Sequence, residues 1–348
     1  MISYMNENNN GSFIPDGGLE MNLAVSHIFA IMYRETGEQR YLDACNQLLQ
    51  NDWNQVGSWY NDARAGLDFY QSNLHRWESL HPVQMLSVLY EVTGNQDYFD
   101  AFEHIWYSIA KTDRHNTGAF SSGEGAKGTP YLSGAGAEIE TCCTVAWMAL
   151  STEYYQMSKN PQAIDELELS YFNGMLGALL EDHKYVTYNT PMIGEKTTGY
   201  DGRKVPSQQD ISFQWNSGSP DFNCCQANAA RGLGEISQWA VVSDASNLYV
   251  NYYGPSEAHT QTPGGNSIVL KQTTEYPKNG SIRLEIADIA QAESFALQVR
   301  IPSWSKQSTV QVNGEPVAAA QSGSYFTIHP TPQNGHVTQI ALDTNVHF

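Results

Sequence analysis

The sequence contains an internal repeat, which constrains the fold more than any other feature. The stretch Tyr33-Arg-Glu-Thr-Gly37-Glu-Gln-Arg-Tyr41 matches Tyr90-Glu-Val-Thr-Gly94-Asn-Gln-Asp-Tyr98 at an offset of 57 residues. In each copy a glycine separates an apolar stretch with helical periodicity from a second amphipathic stretch. The pattern predicts helical hairpins that stack on one another, because a single hairpin cannot bury its apolar face.

A third, weaker copy of the repeat surrounds Tyr155-Gln-Met-Ser-Lys-Asn-Pro161. Hydrophobic periodicity in the three copies predicts helices over 19–36, 39–52, 80–93, 96–112, 141–157 and 161–180. About three and a half hairpins can be counted in this way. Such hairpins form either an open solenoid or a closed α/α toroid, and the long connections between copies leave room for a functional site at one end.

Beyond about residue 240 the hydrophobic pattern changes to the alternation of β-strands. Strands are predicted at 247–253, 267–274, 281–286, 295–301, 310–317, 325–328 and 337–342. The stretch 310–317 contains Asn313-Gly314, a residue pair typical of tight hairpin turns. The sequence therefore predicts an α + β multidomain protein, with a helical α/α toroid over 1–240 and an antiparallel β-sandwich over 241–348.

Composition narrows the classes of partner. The 348 residues include 37 acidic and 18 basic side chains, which gives a formal net charge of −19. Such a surface repels phosphate backbones, so nucleic-acid binding is not expected. No run of 18 apolar residues is present, so no membrane-spanning helix is expected. The first residues lack the apolar core of a signal peptide, which is consistent with the cytoplasm or, for a truncated chain, the periplasm.

Four of the five cysteines form two adjacent pairs, Cys142-Cys143 and Cys224-Cys225. Neighbouring cysteines rarely form a disulfide with each other, because the geometry is strained. The pairs therefore indicate metal ligands or reactive thiols. Three thiolates from these pairs and the carboxylate of Glu140 form a donor set suited to tetrahedral zinc. The spacing alone does not decide between Cys142 and Cys143 as the third thiolate.

The donor residues are predicted to stand at the beginnings of helices. Residues i and i+2 of a regular helix point about 200° apart, so Glu140 and Cys142 reach one ion only if Glu140 precedes the helix. Cys224 and Cys225 are likewise expected in a turn before a helix, where the helix N-terminus favours thiolates.

A closed structural zinc site and a cluster of buried thiols without metal are the two simpler alternatives. Cys45 is expected to be a core residue.

Short motifs along the chain carry a resemblance to a known family. They are Gly123-Glu124, Glu140-Thr-Cys142, Tyr188-Asn-Thr-Pro191, Cys224-Cys225-x-x-Asn228-x-x-Arg231, Leu297-Gln-Val-Arg-Ile-Pro-Ser-Trp304 and Val312-Asn-Gly314. Their order resembles glycoside hydrolase family 127, which is typified by the β-L-arabinofuranosidases. The resemblance covers most of the chain, with the helices that precede the first repeat in the family missing, so the chain resembles an N-terminally shortened member.

The resemblance implies a retaining glycosidase that releases a terminal sugar such as β-L-arabinofuranose from plant or algal glycans. It implies Cys224 as the nucleophile and Glu124 as the general acid/base. It also implies that Zn²⁺ is held by Glu140, Cys142, Cys224 and Cys225. His81 in Ser-Leu-His-Pro, Tyr188, and Glu20 at the start of the first helix are the candidate contacts to the carbohydrate.

Two other functions stay open on the sequence. One is a non-catalytic carbohydrate-binding or scaffold protein stabilised by zinc. The other is a different α/α-toroid enzyme, such as an unsaturated glycuronyl hydrolase or a sugar epimerase, which rely on Asp or His and give Cys224 no role. Trp59 and Trp77 are candidates for stacking on a sugar. An incomplete toroid exposes an apolar seam, so a homodimer is a candidate assembly.

Overall fold

The protein is represented by a computed structural model. It describes residues 23–52, 59–73, 75–130, 139–179, 186–190, 224–291, 294–317, 320–329 and 334–345. The chain divides into two compact units, a helical unit of residues 1–159 with 169–233 and a sheet unit of residues 160–168 with 234–348. Helices thus precede sheets along the chain, as the change of hydrophobic period predicts. The domain boundary at residue 240 stays a prediction.

The helices follow the predicted order along the chain. They are α1 (Val25–Thr36), α2 (Gln39–Gln47), α3 (Trp59–Arg64), α4 (Leu80–Thr93), α5 (Gln96–Thr112), α6 (Thr141–Ser158), α7 (Pro161–Leu169), α8 (Leu176–Ala178), α9 (Cys224–Gly234) and α10 (Ile236–Trp239). Short 3₁₀ turns cover Phe69–Gln71 and Trp77–Ser79, and π-helical turns cover Leu48–Asp52 and Ser170–Met175. Within the described residues, every helix is too short or too polar to cross a bilayer.

The three copies of the repeat end their first helices in the same way. Gly37 and Gly94 adopt left-handed backbone conformations, with φ of 67° and 68°, and each N–H donates to the carbonyl four residues earlier at 2.8 Å. Lys159 takes the same place in the third copy, with φ of 53° and a matching bond to Tyr155 O of 2.8 Å. A left-handed residue with this bond closes a helix C-terminus, so the internal repeat is confirmed.

Within the helical unit, the first helices of the hairpins pack side by side. Helix α4 lies between α1 and α6, while α2 packs on α1 and α5 packs on both α4 and α6. Every residue of α6 from Thr141 to Thr152 is buried. A helix that is buried on all sides needs no polar face, which explains why this stretch contains no charged residue. The beginning of α6, where the predicted ligands lie, is therefore held in a rigid core.

The sheet unit contains two sheets. Its strands are β3 (Val241–Ser243), β4 (Asn247–Val250), β5 (Ser256–Gln261), β6 (Ser267–Thr274), β7 (Ser281–Ile289), β8 (Ala296–Ile301), β9 (Thr309–Val312), β10 (Glu315–Pro316), β11 (Ser324–Ile328) and β12 (His336–Ala341). One sheet has the order β10-β9-β12-β7-β6-β5 and the other the order β11-β8-β4-β3. The predicted hairpin at Asn313-Gly314 joins β9 to β10, with both residues at positive φ.

Three features of the sheets differ from the prediction, and the first is that the short strand β3 was not predicted. Strands β4 and β8 pair in parallel, with Leu248 opposite Leu297, whereas only antiparallel pairs were expected. Strand β5 was missed because its sequence, Ser-Glu-Ala-His-Thr-Gln, lacks the apolar residues that mark a half-buried strand. It is an edge strand, paired only with β6 among the described strands, and four of its six residues are exposed. Edge strands are often polar, because they bury less surface than central ones.

Candidate functional site

The beginning of α6 brings two of the predicted ligands together. Glu140 ends the two-residue strand β1 (Ile139–Glu140), which pairs with β2 (Asn189–Thr190). Its backbone is extended, with φ of −73° and ψ of 134°, and the helix starts at the next residue. Cys142 then lies in the first turn of α6. The prediction that Glu140 precedes the helix is confirmed, so its side chain and that of Cys142 are free to converge.

The other two predicted ligands, Cys224 and Cys225, are the first two residues of α9. The prediction that they lie in a turn before the helix was wrong, because the helix begins at Cys224 itself. The candidate donor atoms of Glu140, Cys142, Cys224 and Cys225 all lie within 4.8 Å of one another. The sulfurs of Cys142 and Cys225 are 3.2 Å apart, and Cys225 Sγ lies 3.7 Å from Glu140 Oε1. Two sulfurs bound to one tetrahedral zinc are about 3.8 Å apart, so this cluster fits such an ion with small adjustments.

The electrostatics of the cluster also favour a cation. Burial, followed by the charge of Glu124, raises the pKa of Glu140 to about 8. The hydrogen bond from Cys142 to the sulfur of Cys224 raises the pKa of Cys142 and lowers that of Cys224. Burial raises the pKa of Cys225. A divalent cation removes the repulsion among these groups, and three sulfurs select a soft ion such as zinc.

The neighbours of the cluster resolve which thiol of the first pair belongs to it. Cys143 is fully buried, and its thiol donates to Glu140 Oε2 at 3.3 Å rather than joining the four donors. Cys142 Sγ accepts a hydrogen bond from Asn228 Nδ2 at 3.2 Å. Cys143 therefore orients the Glu140 carboxylate through Oε2, whereas Cys225 lies near Oε1. Cys45, with no exposed surface, is a core residue as predicted.

Glu124 is connected to the cluster through Tyr188. The Tyr188 hydroxyl donates to Glu124 Oε1 at 2.8 Å, and Tyr188 O accepts hydrogen bonds from Thr141 N at 2.9 Å and from Cys225 Sγ at 3.8 Å. Burial, followed by the charge of Glu140, raises the pKa of Tyr188, so its hydroxyl stays protonated and remains a donor. Tyr188 thus fixes one carboxylate oxygen of Glu124 relative to the sulfurs.

Trp77 and His81 lie beside the cluster. The Trp77 side chain packs against Cys142, Tyr188 and Cys225, and its ring meets that of His81 edge to face at 5.7 Å. His81 is the second residue of α4, and its Nδ1 lies 3.4 Å from Gln84 Oε1. Burial, followed by the charge of Arg231, lowers the pKa of His81, so the imidazole is neutral at pH 7.

The remaining residues that the sequence analysis singled out are Trp59, Glu20 and Pro191. Trp59 is only 1 % exposed, so the prediction that it stacks on a sugar was wrong, because a core indole has no free face. Glu20 and Pro191 lie outside the described residues.

The sequence reasoning missed Arg76 and Glu78. Arg76 Nη2 donates to Glu124 Oε2 at 2.8 Å and to Glu78 Oε1 at 2.8 Å, and Arg76 Nε donates to Glu78 Oε2 at 3.1 Å. Arg76 and Glu78 flank Trp77, and this proximity is the only feature of the sequence that could have pointed to them. Nothing in the spacing connects them to Glu124, because the contact spans 48 residues.

A cavity of about 610 Å³ lies in the helical unit, and none of the four donors is among its lining residues. Its lining residues are His27, Ile31, Arg34, Ser87, Val88, Tyr90, Glu91, Glu153, Gln156 and Met157. Its carboxylates have hydrogen-bond or ion-pair partners in the structure: Glu153 contacts Ser87 and His27, and Glu91 contacts Arg34. Neither a thiol nor Glu124 is among the lining residues of this cavity.

Comparisons with known proteins identify the family of this chain. The family model "Beta-L-arabinofuranosidase, GH127 catalytic domain" matches residues 8–238, and the GH127 middle-domain model matches residues 247–344. A non-reducing end β-L-arabinofuranosidase of Bifidobacterium longum subsp. longum is 22% identical over 95% of this chain and 53% of its own length.

Solved structures share the fold. A GH127 β-L-arabinofuranosidase from Geobacillus stearothermophilus T6 has a TM-score of 0.74 at 21% identity, over 93% of this chain and 54% of that one. The GH127 β-arabinofuranosidase BT3674 has a TM-score of 0.73 at 20% identity, over 96% of this chain and 52% of that one. The fold class, a helical toroid followed by a β-sandwich, is confirmed. The chain spans about half the length of these relatives.

Proposed function

Because this chain belongs to glycoside hydrolase family 127, we propose that it is a retaining glycosidase with Cys224 as nucleophile and Glu124 as general acid/base. The substrate is a carbohydrate with a terminal sugar such as β-L-arabinofuranose, by analogy with the relatives named above. The relatives named above are about twice as long as this chain, so we propose its activity rather than take it from theirs.

The exposure of the four donors to solvent supports Cys224 as the nucleophile. Of the four donors in the cluster, Cys224 alone is exposed, whereas Glu140 and Cys142 are each 1 % exposed and Cys225 is fully buried. A sugar can therefore approach the cluster only at the sulfur of Cys224. A purely structural metal site has no need to present a thiolate to solvent, which argues against the scaffold alternative.

We further propose that the ion held by Glu140, Cys142, Cys224 and Cys225 is Zn²⁺. The donor set supports this choice, because three sulfurs and one carboxylate suit zinc better than magnesium or calcium. When bound, zinc keeps the Cys224 sulfur deprotonated at neutral pH and stabilises it as a leaving group.

The residues of the chain divide the reaction into two steps. In the first, the Cys224 thiolate attacks the anomeric carbon while protonated Glu124 gives its proton to the departing glycosidic oxygen, and a glycosyl-cysteine forms. In the second, the Glu124 carboxylate takes a proton from water, the water oxygen attacks the anomeric carbon, and the carbon–sulfur bond breaks. Two inversions at the same carbon give net retention of configuration.

Other residues beside the cluster are proposed to bind the sugar. Tyr188 keeps Glu124 in place through its hydroxyl and lies against the cluster. His81 presents a neutral imidazole beside the Trp77 ring, and such a pair suits a sugar hydroxyl and an apolar sugar face. Glu20 stays a candidate contact from the sequence.

The Glu124→Gln variant tests the proposal. Hydrolysis of phenyl β-L-arabinofuranoside is expected to fall by about 10²- to 10³-fold, because glutamine cannot protonate the leaving oxygen. The zinc content is expected to stay unchanged, because Glu124 is not among the four donors. Initial rates and metal analysis of the same preparation measure both quantities.

The Glu38→Gln variant is a matched control, because Glu38 also pairs with an arginine, Arg40, at 2.8 Å but lies in the turn between α1 and α2. This variant should hydrolyse the substrate at the wild-type rate. If the zinc-loaded wild-type chain is inert on a panel of aryl furanosides and pyranosides, the glycosidase proposal is wrong and the scaffold alternative is favoured.

A further inference from the structure

We infer that Arg76 is a positioning residue for Glu124 and that the buried Glu78 holds Arg76 in this role. The inference rests on the proposed function of Glu124 as general acid/base. The groups involved are the Arg76 guanidinium, the buried Glu78 carboxylate and a short backbone bridge. None of them belongs to the sulfur cluster.

The two carboxylate oxygens of Glu124 have different donors. Oε1 accepts from the Tyr188 hydroxyl and Oε2 from Arg76 Nη2, both at 2.8 Å. Two donors on opposite oxygens fix the plane of a carboxyl group, whereas one donor leaves it free to rotate. Fixation matters here because the Glu124 side chain is 32% exposed and is flanked by Gly123 and Gly125.

Arg76 is itself held from the other side. Its Nε and Nη2 donate to the two oxygens of Glu78, at 3.1 Å and 2.8 Å, and the Glu78 side chain is only 6% exposed. This forked arrangement restrains the planar guanidinium in a way that a lysine ammonium cannot reproduce. Arg76 Nη2 has two hydrogens, so one N–H serves each carboxylate. Arg76 therefore bridges a buried anchor and the reacting carboxyl group.

The backbone adds a second connection between the same segments. Trp77 N donates to Glu124 O at 3.2 Å, and Arg76 and Gly125 form an isolated antiparallel β-bridge. The loop that carries Glu124 is therefore attached to residues 76–77 through both main chain and side chain. Each carboxylate oxygen of Glu124 keeps a second lone pair, so the group can carry a proton without losing either hydrogen bond.

The Arg76→Met variant tests this inference through its dependence on the leaving group. With phenyl β-L-arabinofuranoside, whose departure needs a proton, kcat/KM is expected to fall by about 10- to 100-fold, because the acid is misplaced. With the 2,4-dinitrophenyl substrate, which departs without a proton, the fall is expected to be less than about threefold. A general loss of structure would slow both substrates equally.

The Arg64→Met variant is the matched control, since Arg64 is similarly exposed, at 48%, and pairs with Asp97 at 2.9 Å away from Glu124. It should leave both substrates unaffected. In the Glu124→Gln background, Arg76→Met should add less than about twofold, because its effect passes through the carboxyl group. The Glu78→Gln variant should reproduce the leaving-group dependence with a smaller amplitude, and it replaces Arg76→Met if that variant does not fold.

Three outcomes overturn the inference: equal losses on both substrates, no loss on the phenyl substrate, or a full additional loss in the Glu124→Gln background. These outcomes require an active wild-type chain. A wild-type chain that is inert on both substrates contradicts the proposed function instead, so the two failures are distinguishable.

Discussion

The Cys224→Ala variant is expected to hydrolyse phenyl and 2,4-dinitrophenyl β-L-arabinofuranoside at least about 10⁴-fold more slowly than the wild-type chain, a loss typical of a missing nucleophile. Both substrates are affected, because no leaving group, however good, compensates for the absence of an attacking atom. The exposed position of this sulfur, beside three buried donors, is the structural reason for the expectation. Initial rates on both substrates measure the effect.

Chemical labelling tests the role of the Cys224 sulfur independently of the substitution. Iodoacetamide should alkylate Cys224 in the wild-type chain and abolish activity, and peptide mass spectrometry should place the label at that residue. The matched control is Cys45→Ala, which removes a thiol that is fully buried, donates to Ser26 O and is not among the four donors. It should retain most of the activity. A Cys224→Ala variant that keeps more than about a tenth of the wild-type rate would rule out the mechanism.

Zinc binding is expected to depend steeply on pH. In the metal-free chain at pH 7, Glu140 is mostly protonated, because its pKa is about 8, and the raised pKa values of Cys142 and Cys225 keep both thiols protonated. Cys224, with a lowered pKa, already carries its charge. Binding must therefore release about three protons, and the affinity should fall about 10³-fold for each unit by which the pH drops below 7.

Competition with a chromophoric chelator at pH 6.0, 6.5 and 7.0 measures this slope. The Cys143→Ala variant should show the same slope, because the Cys143 thiol is not a ligand and stays protonated in both forms. The Cys142→Ala variant should bind zinc with a shallower slope, since one displaced proton is lost with the thiol. A wild-type affinity that changes by less than tenfold per pH unit would show that the donors are already deprotonated or do not bind the ion.

Much of the fold followed from local signals in the sequence. In two copies of the repeat a glycine ends the first helix, and this glycine predicted the hairpins. Glycine is the residue that most readily takes the left-handed conformation found at Gly37 and Gly94. The third copy was harder to detect because Lys159 adopts that conformation instead. The parallel pairing of β4 with β8 was not predictable, since alternation identifies a strand but not its partner.

The site was predictable in part for similar reasons. The i, i+2 spacing of Glu140 and Cys142 already required Glu140 to lie before the helix, and the extended backbone of Glu140 meets that requirement. The choice of Cys142 over Cys143 depended on which side of α6 faces α9, which only the structure provides. The contact from Arg76 to Glu124 also escaped prediction, because it joins two loops that have no periodicity to place them.

Glu140, Cys142, Cys224 and Cys225 are proposed to hold one zinc ion. X-ray absorption at the zinc K-edge of the reduced, zinc-loaded chain tests this proposal most directly. We expect one zinc per chain, bound by three sulfurs at about 2.3 Å and one oxygen at about 2.0–2.2 Å. A spectrum with two or fewer sulfurs, with imidazole nitrogens in their place, or a reduced chain that binds no zinc at all, would contradict it.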